Sequence, residues 1–356
     1  MRLELIRRAE PSRGMRWAAP LIAVALTLVT GAAVFSALGY DGPAAVREIF
    51  LTPLLSPLIW QDLGIKAAPL ILIATGLSVG FRAGVWNIGA EGQYVLGGLG
   101  ATAVALATWG SEGPWMLPLM ILAGIAGGMA WAAVPAALRV RLGVNEILTS
   151  LMLSYVAIQL LNYLMRGPWQ DPAGFSFPET RLFTADQLLP ILPGTDYVHA
   201  GVAVAFGLAV VLWVVMARTV FGLSIRVVGE APRAARHAGF DAKRTVWAAM
   251  LLSGGFAGLA GALEAAGPFG QMVPQFPTGY GFTAIIVAFL GRLHPIGIVL
   301  AGLILAVSYV GGEIAQSSLG LPAAAAGIFQ AMMLFTLLGV DVLVRYRVRL
   351  TRSEAA

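Results

Sequence analysis

Along the chain, apolar residues gather in blocks of about 20, separated by short polar or basic stretches. A helix of that length crosses a hydrocarbon core of roughly 30 Å. Such blocks should be helical, because lipid offers no partner for an unpaired N–H or C=O. The pattern predicts spans over 17–38, 65–81, 84–108, 115–138, 145–165, 198–217, 245–266, 279–291, 295–310 and 323–344. Several glycines interrupt the third, and the eighth is short. The expected fold is an all-α, polytopic transmembrane helical bundle of about ten spans. One membrane domain covers 17–344, between a basic N-terminal segment, 1–16, and a C-terminal tail, 345–356. Two connections are long: 166–197, which contains several prolines and aromatic residues, and 218–244, which is basic.

Composition agrees with lipid as the solvent. The 356 residues are 58% hydrophobic and 12% charged, with mean hydropathy +0.81, whereas soluble domains carry about 25% charged residues. The placement of lysine and arginine sets the orientation. With the N-terminus inside, 19 of the 23 fall on inside segments, and only Arg47, Lys66, Arg166 and Arg181 lie outside. That bias predicts cytoplasmic termini and an even number of crossings. The net charge of +5 then reflects topology and implies no nucleic-acid partner. Met1–Arg16 is basic and precedes the apolar run Trp17–Leu38, which exceeds a signal-peptide core of 7–15 residues. It is expected to remain as the first helix. The chain has no cysteine, which excludes thiol chemistry, disulfides and Cys-based metal sites.

Catalytic constellations are missing from the sequence. His199, His237 and His294 sit at span ends or in loops, with no HExxH or GxSxG pattern. The only lysines, Lys66 and Lys243, follow no glycine-rich phosphate loop. If transport is ATP-driven, another subunit must hydrolyse the nucleotide.

Four segments carry polar chemistry. Gly84-Val85-Trp86-Asn87-Ile88-Gly89-Ala90-Glu91-Gly92-Gln93-Tyr94 places Asn, Glu and Gln at membrane depth among glycines. Glu91 either lines a route, or caps a half-helix or pairs with a neighbouring span. Gly143–Ser150 opens the fifth span, where Asn145, Glu146 and Thr149 suit a helix start. Deeper in that span, Ser154, Gln159 and Asn162 either touch a polar solute or bond across helices. Gly229–Asp241 reads as a short helix in the basic loop, stopped by Gly239, which is either a docking knob for a soluble motor or an ordinary solvated loop. Gly279–Ile285 and Gly291–Pro295 form a short apolar stretch ended by a basic turn. Two interrupted segments in opposite halves point to a central site. The small residues of Ser253–Gly261 favour close helix packing, and Glu264 after them is expected at the interface.

Taken in order, these segments resemble the permease family of ABC importers that handles ribose, branched-chain amino acids and nucleosides, and within it the nucleoside, simple-sugar-like branch. The similarity runs through Trp86–Gln93, Asn145–Glu146 with Gly167-Pro168 and Asp171-Pro172, and Gly279–Pro295, within roughly 65–340. Ala234-Ala235-x3-Gly239 is similar to the family's coupling motif Glu-Ala-Ala-x3-Gly, with Arg233 in place of the Glu. The resemblance implies a multi-pass protein of the bacterial inner membrane that works by alternating access. Its expected partners are a second permease (a paralogue or a copy of itself), a cytoplasmic ATPase subunit and an extracytoplasmic solute-binding protein. The chain itself is expected to hold no cofactor, with ATP and magnesium used by the ATPase. A nucleoside route needs neutral polar groups and rings on which a base can stack. The candidates are Trp86, Asn87, Glu91, Gln93, Tyr94, Ser154, Tyr155, Gln159 and Phe282, with Glu230, Arg233, Ala234, Ala235 and Gly239 for coupling. The alternatives are a sugar such as ribose as cargo, or an ion-coupled transporter with Glu91 as proton carrier.

Overall fold

The computed structural model describes residues 2–7 and 13–351, so residues 1, 8–12 and 352–356 of the expected terminal segments lie outside the described residues. In chain order, the elements are β1 (Arg2–Arg7), α1 (Arg13–Ala37), α2 (Gly42–Val46), α3 (Thr52–Leu55), α4 (Ile59–Arg82), α5 (Ala90–Ala107), α6 (Met116–Leu142) and α7 (Glu146–Met165). They continue as α8 (Gly201–Arg218), α9 (Val220–Glu230), α10 (Pro232–His237), α11 (Ala242–Glu264), α12 (Tyr280–Leu290), α13 (Pro295–Leu319), α14 (Ala325–Arg345) and β2 (Tyr346–Thr351). Every expected span coincides with a helix. Among the described residues, eight helices are long and apolar enough to cross a membrane: α1, α4, α6, α7, α8, α11, α13 and α14. The other two fall short for physical reasons. The first turns of α5 carry Glu91 and Gln93, and α12 has 11 residues, a rise of about 16 Å at 1.5 Å per residue.

The chain forms two compact units. One comprises the described residues up to Trp60 and those from Val307 onward. In it α1 packs along α14, with Phe35 stacked on Phe329 at 5.3 Å and the hydroxyls of Thr27 and Thr336 2.8 Å apart. The six-residue strands β1 and β2 pair antiparallel, Arg2 opposite Thr351, which brings the two ends of the described chain together. That ribbon departs from the all-helical expectation, and the short helices α2 and α3 add to the expected spans.

The second unit is Gln61–Ala306. Helices α4 and α11 are buried over most of their length and form its centre. Backbones approach at contact distance where α5, α6 and α11 cross. A Cβ on Gly97 would overlap the Gly258 backbone, and one on Gly128 would overlap Gly254 and Gly258. Glycine at these crossings lets dispersion contacts replace the hydrophobic drive that lipid cannot supply. Glu264, expected at the interface, is instead buried at the end of α11. The third expected span, 84–108, begins late, because residues 83–89 leave the helix: the N–H groups of Ala83, Gly84 and Val85 turn back onto carbonyls of α4, and those of Trp86, Ile88 and Gly89 go to side chains. The eighth begins at Tyr280, after Gly279 at φ +82°. The ninth continues past 310 to Leu319.

Candidate functional site

Two interrupted segments meet inside the second unit. Between α4 and α5 the backbone turns at Gly84, φ +71°, a left-handed conformation that a Cβ would strain. The next N–H groups find side-chain acceptors: Trp86 N donates to Glu146 Oε1 at 3.2 Å, Ile88 N to Ser150 Oγ at 3.2 Å, and Gly89 N to Asn87 Oδ1 at 3.1 Å. Partnered in this way, irregular backbone survives at membrane depth. Glu146 also pairs with Arg139 on α6, and Asn145 caps α7 by accepting from Ile147 N at 2.8 Å.

The Asn87 side chain is saturated. Its Nδ2 donates to Gln93 Oε1 at 2.8 Å and to Ser253 Oγ at 2.9 Å, while Oδ1 accepts from Gln93 Nε2 at 3.0 Å. All three residues are buried. Glu91 is buried beside them, and its oxygens accept from Gly279 N at 2.9 Å and Gly281 N at 2.6 Å. The carboxylate thus sits on the N-terminus of α12, where the helix dipole and free N–H groups favour an anion. A Cβ on Gly281 would overlap the Glu91 backbone, so the contact also needs that glycine.

The other route candidates divide by exposure. Tyr94 is fully buried and stacks on Phe276 at 4.7 Å. Ser154 is buried and accepts from Gly92 N at 3.3 Å, and Phe282 is half-buried. Trp86, Tyr155 and Gln159 are exposed. Trp86 stacks on Phe289 at 5.6 Å, and Tyr155 is 56% exposed. Gln159 lines a cleft of about 560 Å³ together with Asn162, Tyr163 and Arg166, all near the end of α7. The geometry therefore locks Asn87 with Gln93 and Ser253, seats Glu91 on the start of α12, and leaves Tyr155 and Gln159 on an uncovered helix face. Sequence reasoning missed Ser253 and Ser150 as members of the cluster. Ser253 looked like one more small packing residue, and Ser150 like part of a helix start.

At another end of the unit, α9 and α10 form the basic loop. Gly239 N donates to Arg236 O at 3.1 Å, and Phe240 N to Ala235 O at 2.9 Å, with Gly239 at φ +82°. This double closure is the Schellman stop, which requires a left-handed residue. Of the alanine pair, Ala235 is fully buried and Ala234 is exposed, as are Glu230, Arg233 and Gly239.

A helical membrane bundle with a broken-helix polar centre, a span face that exposes Tyr155, Gln159 and Tyr163, and a small capped helix at a loop end fits a transport component. Residues 61–338 match the family described as "Branched-chain amino acid transport system / permease component", and the chain belongs to that family. It is 38% identical over 352 residues to the glucose ABC transporter permease protein TsgB13 of Haloferax volcanii, covering 96% of this chain and 92% of that protein. The guanosine permease protein NupP of Bacillus subtilis is 31% identical over 88% of this chain and 91% of its own length. The nucleoside permease protein NupB of Lactococcus lactis is 28% identical, with 89% of each chain covered. The protein is accordingly a multi-pass inner-membrane permease subunit of the ABC transporter class.

Proposed function

We propose that this chain is the permease of an ATP-driven importer that carries nucleosides or related purine-like solutes into the cytoplasm by alternating access. The observation that supports it most directly is the uncovered face of α7. Tyr155, Gln159 and Tyr163 lie exposed on a helix long enough to cross the membrane. Amides and phenols on a spanning helix avoid lipid and belong at a protein interface or a solute route. Tyrosine rings offer a stacking face and Gln159 a donor and an acceptor, which suits a neutral base. In this reading Trp86, Tyr155, Gln159 and Phe282 meet the solute as the two permeases part. Asn87, Glu91, Gln93, Tyr94 and Ser154 hold the half-helices that shape the route.

The partners follow the family's machinery: a second permease across the α7 face, an extracytoplasmic solute-binding protein, and a cytoplasmic ATPase that uses ATP and magnesium. The exposed Glu230, Arg233 and Ala234 would dock against the ATPase, with Gly239 and Ala235 setting the knob's shape. About ten crossings with cytoplasmic termini fit the charge bias and the pairing of β1 with β2.

A sugar is the second reading, supported by the 38% identity to the glucose permease TsgB13. Competition decides between them. Proteoliposomes holding the complete transporter are given labelled guanosine with excess unlabelled adenosine, glucose or ribose. Suppression by adenosine alone supports a nucleoside carrier, and suppression by glucose or ribose transfers the assignment to sugars.

A further inference from the structure

A cleft of about 570 Å³ opens where the ends of α4 and α8 meet α9 and the turn between α12 and α13. Its lining combines the basic Arg82, Arg226 and His294 with the apolar Phe81, Trp213 and Met216. The cleft is built into the fold. A Cβ on Gly229 would overlap the Arg82 carbonyl, so α9 lies directly on the end of α4. Arg82 donates through Nη2 to Leu293 O at 2.6 Å, which fixes its guanidinium, and Arg226 donates through Nε to Gly222 O at 3.3 Å. Among the described residues, neither arginine has a carboxylate within ion-pair reach. Burial and the neighbouring Arg82 charge hold the His294 imidazole below its ordinary range. Glu230 also lines the cleft; one carboxylate against two arginines leaves at least one positive charge over.

The surroundings identify the class of ligand. Val210, Trp213 and Val214 are exposed on α8, at 57%, 42% and 47%, and run as one ridge into the cleft. An apolar ridge that ends in an arginine pair with excess positive charge, at the end of two spans, matches an acyl chain below and a phosphate above. We propose that this cleft binds the phosphodiester headgroup of an anionic phospholipid, with its acyl chain along Val210, Trp213 and Val214, and that the lipid clamps α9 to α4. Because α9 runs into α10, the clamp would stiffen the lever between the proposed coupling helix and the spans. Only that last consequence rests on the importer reading. The site itself needs no more than a chain embedded in lipid.

The test uses the full-length chain, delipidated in detergent and titrated with phosphatidylglycerol, with diacylglycerol of the same acyl composition, or with inorganic phosphate, and read by native mass spectrometry. Phosphatidylglycerol should be retained and diacylglycerol should not. Arg226→Gln should weaken retention about fivefold, the share of one arginine near a charged surface. Arg218→Gln, at the end of α8 outside the cleft, should leave it unchanged. Equal retention by wild type and Arg226→Gln, or equal loss in both variants, overturns the site. Displacement of phosphatidylglycerol by millimolar inorganic phosphate overturns the lipid assignment in favour of a soluble anion. Arg82→Lys keeps the charge but removes the forked geometry, and should retain less lipid than wild type. Retention equal to wild type in that variant contradicts the arginine clamp. Lipid retention is read without transport, so a failure here leaves the importer reading standing, and failed uptake leaves this site standing.

Discussion

Asn87 spends every hydrogen-bonding group of its side chain inside the protein, on Gln93, Ser253 and Gly89. Its removal therefore strands partners that have no water to turn to. Asn87→Ala should cost several kcal/mol, at about 1–3 kcal/mol per buried group left unpaired, and Ser253→Ala about 1 kcal/mol. Thermal unfolding in detergent should rank wild type above Ser253→Ala above Asn87→Ala; equal melting of the two variants would contradict the network. Glu91 needs two acceptor oxygens for Gly279 and Gly281. Glu91→Gln turns one of them into a donor facing an N–H, so it should impair uptake more than Glu264→Gln does. Equal tolerance of both changes would remove Glu91 from any essential role. His199, just ahead of α8, is buried with neither ring nitrogen hydrogen-bonded, and burial pushes its pKa down from 6.5 to about 4. The unfolded chain then binds the extra proton, so stability should fall as pH drops from about 6.5 towards 4. His199→Phe should flatten that slope in a pH series of melting midpoints, and an unchanged slope would assign the acid sensitivity to other groups. The polar residues were legible in the sequence because Asn, Glu and Gln are conspicuous at membrane depth. Their partners were not: Ser253 lies 166 residues from Asn87, and Gly281 lies 190 from Glu91. No local pattern encodes such separations.

At the scale of elements, the spans were readable because each apolar block has a length that lipid dictates. The sequence also marked the two weakest spans, and the fold gives the reason: their interruptions are built for each other, with Glu91 at the start of α5 capping α12. The terminal ribbon escaped notice, since six alternating residues beside a long apolar block carry little signal. Helices α2 and α3 escaped because their apolar run is too short for a span. The basic loop 218–244 was read as holding a short helix ended by Gly239, and α10 is that helix. However, its two alanines have different surroundings, which spacing alone does not reveal. Ala235→Trp should overpack the buried side and unfold α10. Ala234→Trp should leave the protein folded and abolish ATP-dependent uptake. Gly239→Ala should cost about 1–2 kcal/mol through the left-handed backbone alone. Normal coupling in Ala234→Trp, with expression intact, would remove α10 as the docking knob.

On the scale of the whole molecule, the chain is a membrane scaffold whose polar groups are mostly spent on holding broken helices in place. Among the surfaces left over are the α7 face, the exposed side of α10 and the arginine cleft under α9. Each has the character of a contact with something else. That distribution fits a subunit that borrows its energy from a motor and its specificity from a binding protein. The decisive measurement is uptake of labelled nucleoside by cells that express the complete transporter with and without this chain, with ATP depleted in one arm and the proton gradient collapsed in the other. The account predicts uptake that requires this chain, dies with ATP and survives loss of the gradient. Uptake that survives ATP depletion but stops with the gradient would contradict it in favour of an ion-coupled transporter.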